Sequence, residues 1–208
     1  MDEAMREYYE QRAPEYDDWW RGTGLFEARE RPGWDEDVAA LQAALAALPP
    51  ARTLDVACGT GFLTRHLPGE LTGLDQSASM LEVAASRMPS ATFVQGDALA
   101  PPFAPGSFER VHAGHFYGHL TEEQRGAFLD VARVLAGELV VTDSALRPGG
   151  RDQAWDERRL SDGSRHQVYK RWFTAHGLAE ELGGGETVHD GPWFVSVRMT
   201  DSTTPHRG

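Results

Sequence analysis

Cysteine is almost absent from this 208-residue chain: Cys58 stands alone, which excludes an internal disulfide and the multi-cysteine chemistry of zinc, iron–sulfur or arsenic sites. Lysine is equally scarce, with Lys170 the single example, so the abundance of arginine is ascribed to codon bias unless arginines cluster. Positive charge as a whole is short. Against 32 acidic residues stand 20 basic ones, a net charge of −12, which disfavours non-specific nucleic-acid binding and anionic membranes unless a local basic patch overrides the average. No apolar run is long enough to cross a bilayer, and Met1-Asp2-Glu3-Ala4 is acidic without an apolar core, so neither an anchor nor a signal peptide is expected. The expected compartment is the cytoplasm. Hydrophobic residues make up 40 %, enough at this length for one α/β core.

The most organised stretch is Thr53 to Leu67, TLDVACGTGFLTRHL. Thr53 to Ala57 reads as a buried parallel strand, Cys58-Gly59-Thr60-Gly61 as a tight turn, and Phe62, Leu63, His66 and Leu67 as the apolar face of a following helix. Strand, glycine turn and helix within about fifteen residues open a mononucleotide-binding βα unit. The glycines let the backbone bend sharply and let a ligand lie against it. Three acids then fall at strand ends: Asp55 before the glycines, Asp75 closing Leu71-Thr72-Gly73-Leu74, and Asp97 closing Ala91 to Gly96. In a parallel sheet the ligand crevice lies at those ends. A ligand carrying an ammonium, a ribose diol and an adenine amino group would supply one donor set to each acid.

These residues resemble class I S-adenosylmethionine-dependent methyltransferases. Asp55 to Gly61 is similar to their first motif, with Ala57 where many members have glycine; Asp75-Gln76-Ser77 to their ribose-binding acid; and Gly96-Asp97-Ala98 to their adenine-binding turn. The resemblance runs from about Tyr8 to Met199. It implies S-adenosylmethionine as cofactor and S-adenosylhomocysteine as product, held by Asp55, Ala57, Gly59, Thr60, Gly61, Asp75, Gln76, Gly96, Asp97 and Ala98, with Ala113 at the end of the fourth strand. Met80 would lie against the adenine, although a methionine there is as often core. Tyr16 would close the methionine end from a leader, Tyr8-Tyr9 and Ala13 to Asp17, laid across the cofactor; the same aromatic segment, broken at Pro14, could equally be a terminal helix packed on the core.

The rest of the chain is read in order. Asp37 to Leu48 is apolar on nearly every face and stops at Pro49-Pro50, a buried helix. Ser77 to Met88 is a second helix capped by Ser77 or Ser79, Phe108 to Ala113 a fourth strand, Thr121 to Ala136 a capped helix, and Glu138 to Asp143 a fifth strand. After the fourth strand, His115, Tyr117 and His119 are capable of proton transfer, and His115 falls where the family places residues near the transferred methyl. Transferases of this class also work by orientation alone. No Asn-Pro-Pro-Tyr type sequence occurs there, which argues against nucleic-acid or glutamine methylation. Asp143 has no second acid or asparagine at matching spacing, so no metal is expected.

Arg147 to Arg171 departs from βα alternation. Asp162-Gly163 marks a hairpin turn, and seven cations (Arg147, Arg151, Arg158, Arg159, Arg165, Lys170, Arg171) crowd against four acids. Arg158 or Arg165 with Tyr169 would hold an anionic or carbonyl-bearing acceptor, or the arginines simply pair with surface acids. Trp19 and Trp20 from the leader and Trp155 and Trp172 from the hairpin suggest an aromatic roof suited to a quinone, phenol or polyketide-like metabolite. The sequence thus predicts a doubly wound seven-stranded sheet, mostly parallel with an antiparallel last strand. Residues 1–200 would form a single domain, 1–50 a helical leader and lid, 147–173 a hairpin cap, and 201–208 a disordered tail. The partner expected is a small molecule, with the chain a monomer or homodimer. A nicotinamide-dependent oxidoreductase would need a third glycine where Leu63 or Thr64 stands and would not explain Asp97. A non-catalytic S-adenosylmethionine-binding protein stays open, since fold does not fix function.

Overall fold

A computed structural model describes residues 3–200; the C-terminal segment expected to be a tail lies outside them. In chain order the elements are α1 (Glu3–Arg12), α2 (Asp18–Arg21), α3 (Trp34–Ala46), β1 (Ala51–Val56), β2 (Gly69–Asp75), α4 (Ala78–Arg87), β3 (Thr92–Gln95) and β4 (Arg110–Gly114), then α5 (Glu122–Leu135), β5 (Glu138–Ser144), β6 (Gln153–Arg159), β7 (Arg165–Arg171), α6 (Ala175–Glu181), β8 (Glu186–Asp190) and β9 (Phe194–Thr200). Seven strands form one sheet in the order β3-β2-β1-β4-β5-β9-β8. Every pairing among β1 to β5 is parallel, and β9 runs antiparallel to both its neighbours. This is the expected doubly wound sheet.

The strand order reverses between β1 and β4. Chain leaving β1 turns toward β2 while chain leaving β4 turns toward β5, so a crevice opens above their carboxyl ends. Opposite faces of the sheet feed two hydrophobic clusters. Leu139 and Val141 of β5 and Val195 and Val197 of β9 pack with Phe128 and Leu135 of α5 and Leu178 of α6. Val140 and Phe194, one residue out of step on the same strands, pack instead with Val38, Leu41 and Leu45 of α3.

Local chemistry sets the boundaries. Ser77 caps α4 by accepting from Met80 N at 3.1 Å, and Thr121 with Gln124 forms a reciprocal capping box on α5. Three expectations are corrected. Phe62 to Leu67 is no regular helix but a single 3-10 turn at Thr64–His66: Gly59 and Gly61 hold positive φ on one side and Pro68 follows Leu67 on the other, leaving too few residues for an α-helix. Nor is α3 buried all round. Ala39, Ala40, Ala43 and Ala46 face solvent while Leu41 and Leu45 are inside, because alanine favours helix without demanding burial. The third strand is also shorter than expected, ending at Gln95, so Asp97 stands two residues beyond it.

The leader forms α1, a 3-10 turn beginning around Pro14, and α2, and is fastened by carboxylates. Glu10 accepts from Ala78 N at 2.7 Å and Ser79 N at 3.2 Å, the unpaired amides of the α4 N-terminus. Asp17, buried, accepts from Thr60 Oγ1 at 2.6 Å and meets Arg87 at 2.7 Å, tying the leader to the glycine turn. Asp17→Asn removes a buried charge from beside Arg87 and is expected to lower stability by about 2–3 kcal/mol. Urea denaturation measures that loss, and faster proteolysis near residues 12–22 would place it in the leader.

Candidate active site

The crevice divides into two chambers. The narrow one, about 40 Å³, is bordered by Ala57, Gly59, Asp75, Gln76, Met80, Gly96 and Ala98 from the sheet side and by Tyr9 and Tyr16 from the leader. Two non-glycine residues on its wall hold left-handed backbone, Ala57 at φ 51° and His115 at φ 54°, a conformation that costs free energy and gathers at ligand sites. Gly59 turns a bare backbone toward the chamber, with the Tyr16 ring as nearest neighbour to an added Cβ at 3.6 Å.

Asp75 accepts from Gly59 N at 2.8 Å and Ser77 N at 2.9 Å. Burial pushes its carboxyl up to about 6, against the lowering effect of those two amides, and the neighbouring Asp55 charge adds to the rise. A half-buried carboxylate with spare lone pairs on a ligand-sized cleft suits hydroxyl donors. His115 fits the same description in reverse: its Nε2 is buried with no hydrogen-bond partner among the described residues, and its Nδ1 lies 3.5 Å from Ser144 Oγ. Burial, then the nearby Lys170, holds the His115 imidazole well below its ordinary pKa, so it is neutral. His119 donates from Nδ1 to the Tyr169 carbonyl at 2.7 Å, since a carbonyl can only accept, which leaves a lone pair on Nε2. Burial and Lys170 push His119 down to about 3.

Other expected cofactor residues lie elsewhere. The Asp55 carboxylate is closed off inside the sheet, bonded to Thr64 Oγ1 and to His112 Nδ1, the latter at 2.7 Å. Thr60 and Gly61 sit behind the turn: the Thr60 hydroxyl is taken by Asp17, and a Cβ on Gly61 would overlap Met88 Cε. Asp97 accepts from Leu99 N at 3.0 Å, and Ala113 is fully buried; neither borders the narrow chamber.

The second chamber is larger, about 420 Å³, and roofed by the leader and the hairpin. Trp19 and Arg158 border it as expected, with Tyr8, Arg12, Lys170 and Trp172. Tyr117 does not; it is buried and donates to Glu181 at 3.1 Å. Arg165 and Tyr169 are corrected too, because they lie on the outward face of β7. Arg165 is exposed and paired with Glu157 at 2.7 Å, and the Tyr169 hydroxyl donates to Gln153 at 2.8 Å. The alternate face of the strand, His166, Val168 and Lys170, points in: His166 packs on Tyr8 and the Lys170 ammonium is bonded to Asp143. Of the tryptophans, Trp20 is in the core and Trp155 is in solvent. Lys170 was missed, although its place as the lone lysine on the Val168 face was a usable signal; nothing local marked Arg12. Tyr9, Tyr16, His115 and His119 border both chambers and form the wall between them.

Residues 53–138 match the family model described as a methyltransferase domain. That match, with the fold around it, supports the resemblance to class I S-adenosylmethionine-dependent methyltransferases. Among its relatives are the demethylmenaquinone methyltransferase of Thermotoga maritima, 35 % identical over 45 % of this chain and 44 % of that one, and the phthiotriol/phenolphthiotriol dimycocerosates methyltransferase 1 of Mycobacterium ulcerans, 38 % identical over 60 % and 48 %. The chain thus spans less than half the length of these curated relatives. A solved structure titled DhpI-SAH complex is 25 % identical with a TM-score of 0.72, covering 96 % of this chain and 97 % of that one. The methyltransferase match covers the strands below the narrow chamber, whereas the larger chamber draws only His115 and His119 from it.

Hydroxyl donors prefer ionised Asp75, so nucleoside affinity is expected to be full above about pH 6 and to fall as pH drops through that value. Asp75→Asn should weaken S-adenosylhomocysteine by roughly 2–4 kcal/mol, the loss of two charge-assisted hydrogen bonds, and flatten this dependence. Calorimetry between pH 5 and 8 on both proteins checks the two statements.

Proposed function

We propose that residues 1–200 act as one methyltransferase domain that moves the methyl group of S-adenosylmethionine to an oxygen, nitrogen or carbon of a small-molecule acceptor, releasing S-adenosylhomocysteine. The observation that carries this reading is the meeting of the two chambers at Tyr9, Tyr16, His115 and His119. In the narrow chamber Asp75 would take the ribose hydroxyls, Gln76, Met80 and Ala98 would border the adenine, and Ala57, Gly59 and Tyr16 the methionine end. The cofactor supplies an electrophilic methyl on sulfonium sulfur. About 40 Å³ is far below the roughly 300–1,000 Å³ of small-molecule sites, so Tyr9 and Tyr16 must move with the leader as it enters. The structure titled DhpI-SAM-HEP complex has this fold, with a TM-score of 0.73 over 94 % of the chain.

The protein's contribution is orientation and dryness. Trp19 is packed edge-on against Trp34 and His115, with ring centroids 4.9 and 5.0 Å apart, and these rings exclude water from the transfer point. The aromatic walls suit a flat or apolar acceptor body, the class named for several relatives. Burial and Lys170 hold both imidazoles below their ordinary range, so in this reading transfer relies on orientation and not on a histidine base.

Incubation with methyl-labelled S-adenosylmethionine and a metabolite extract is expected to yield labelled small molecules. No label transfer, with S-adenosylhomocysteine still bound, would leave a non-catalytic binder. At saturating cofactor, kcat is expected to be flat between about pH 6 and 9, while the KM for cofactor rises as pH falls below about 6 with Asp75 protonation. A kcat limb near pH 6–7 that disappears in His119→Gln would show a histidine base instead.

A further inference from the structure

The larger chamber holds an excess of positive charge that the protein as a whole does not have. Arg12, Arg29, Arg31, Arg147, Arg158 and Lys170 border it against one carboxylate, Glu30, in a chain of net charge −12. Among the described residues, four of these cations form no salt bridge at all. Arg12 donates to the Tyr8 hydroxyl and lies 5.2 Å from the Tyr16 ring centroid. Arg31 donates to the Trp19 carbonyl at 2.7 Å and lies over Trp34; Arg29 and Arg147 rest on Phe26 and Trp193. Arg158 reaches Asp156 only at 3.5 Å, and Lys170 alone is neutralised, by Asp143 behind it.

In so acidic a protein, arginines that were only surface charges would find carboxylates. These are held instead by rings and carbonyls, which orient a guanidinium without cancelling it. A half-buried guanidinium such as Arg12 is left short of a counter-ion, a cost that an anion in the chamber offsets. The position of the chamber adds a second argument. Tyr9, Tyr16, His115 and His119, at the wall where transfer would occur, present no carboxylate to take a proton from an acceptor. An acceptor that arrives already ionised needs none.

We propose that the acceptor is a small oxyanion, a carboxylate or a phosphorus oxyacid on a flat or apolar body, gripped by Arg12 and Arg158 and methylated on oxygen without a protein base. This rests on the reading of the larger chamber as the acceptor site. An oxygen lone pair forms the new O–C bond while the S–C bond breaks and sulfur keeps its electron pair. One negative and one positive charge cancel, and no proton moves. The ester product is less anionic than the substrate, so the arginines hold it more weakly, which favours release.

The test is calorimetric, on the protein saturated with S-adenosylhomocysteine, with benzoate, phenylphosphonate and the neutral benzamide as probes. At least one oxyanion is expected to bind tenfold or more tighter than benzamide, and the stronger of the two identifies the acid as carbon- or phosphorus-based. Arg12→Met and Arg158→Gln should each weaken the oxyanion about tenfold, with S-adenosylhomocysteine affinity within twofold as the control for folding; Arg12→Lys should recover part of the loss and Arg165→Ala should change nothing. Raising salt should weaken the oxyanion and spare benzamide. Equal binding of benzamide and the oxyanions, or arginine variants that leave their ratio unchanged while S-adenosylhomocysteine still binds, would overturn the proposal. Failure of the wild type to bind S-adenosylhomocysteine would overturn the methyl-transfer reading beneath it.

Discussion

The structure depends on a buried pair at the point where the sheet changes direction. Asp55 of β1 and His112 of β4 stand in register across adjacent strands, both nearly without solvent exposure, and share a 2.7 Å hydrogen bond. His112 Nε2 lies 3.3 Å from Thr142 of β5, whose hydroxyl meets Ser196 of β9 at 2.9 Å. A polar line therefore runs through the sheet interior from β1 to β9. In a low dielectric each member needs the next, so the network specifies which strands lie side by side as well as holding them. It stands directly below the crevice, and the two strained residues, Ala57 and His115, follow the very strands it joins.

Above that fixed floor the site is closed by parts that belong to no strand of the main sheet. Trp20 anchors the end of the leader in the core, stacked on Phe62 and Phe194, and the part before it is attached through a few carboxylates: Glu10 on the α4 amides, Asp17 on Thr60 and Arg87, and Glu15 on Ser161 N of the hairpin at 3.1 Å. The hairpin is its own two-stranded sheet, joined to the body through Leu160 and Val168 against Tyr8 and through Lys170 on Asp143. Discrete polar attachments of this kind release and reform more readily than a packed core, which suits a cover that must admit a nucleoside.

Charge is divided along the same line. The floor presents Asp75, a carboxylate raised by burial and suited to neutral hydroxyl donors, while the cover presents Arg12, Arg29, Arg31 and Arg147, which form no salt bridge among the described residues. A methyl group carried as a cation over the floor and an anion drawn in by the cover would meet at a wall of neutral rings. Neutral histidines there do not compete with either charge.

Read alone, the residues determined the seven-stranded doubly wound sheet, the glycine turn, the capped helices and the hairpin, because each rests on local periodicity or turn chemistry within a few residues. Asp75, Gly59, Gln76 and Met80 were legible for the same reason: they follow strand ends, and a parallel sheet sends strand ends to one crevice. What the tertiary structure decided is the fate of each polar group that had more than one possible partner. Asp55 belongs to the sheet interior because His112, fifty-seven residues away, reaches it first. Arg165 and Tyr169 face solvent and Lys170 faces the chamber because a strand offers two faces and only the packing of Val168 on Tyr8 chooses between them. Arg12 and Arg158 border one chamber from chain positions far apart, and no spacing in a sequence encodes a charge that two distant segments create by closing over the same space.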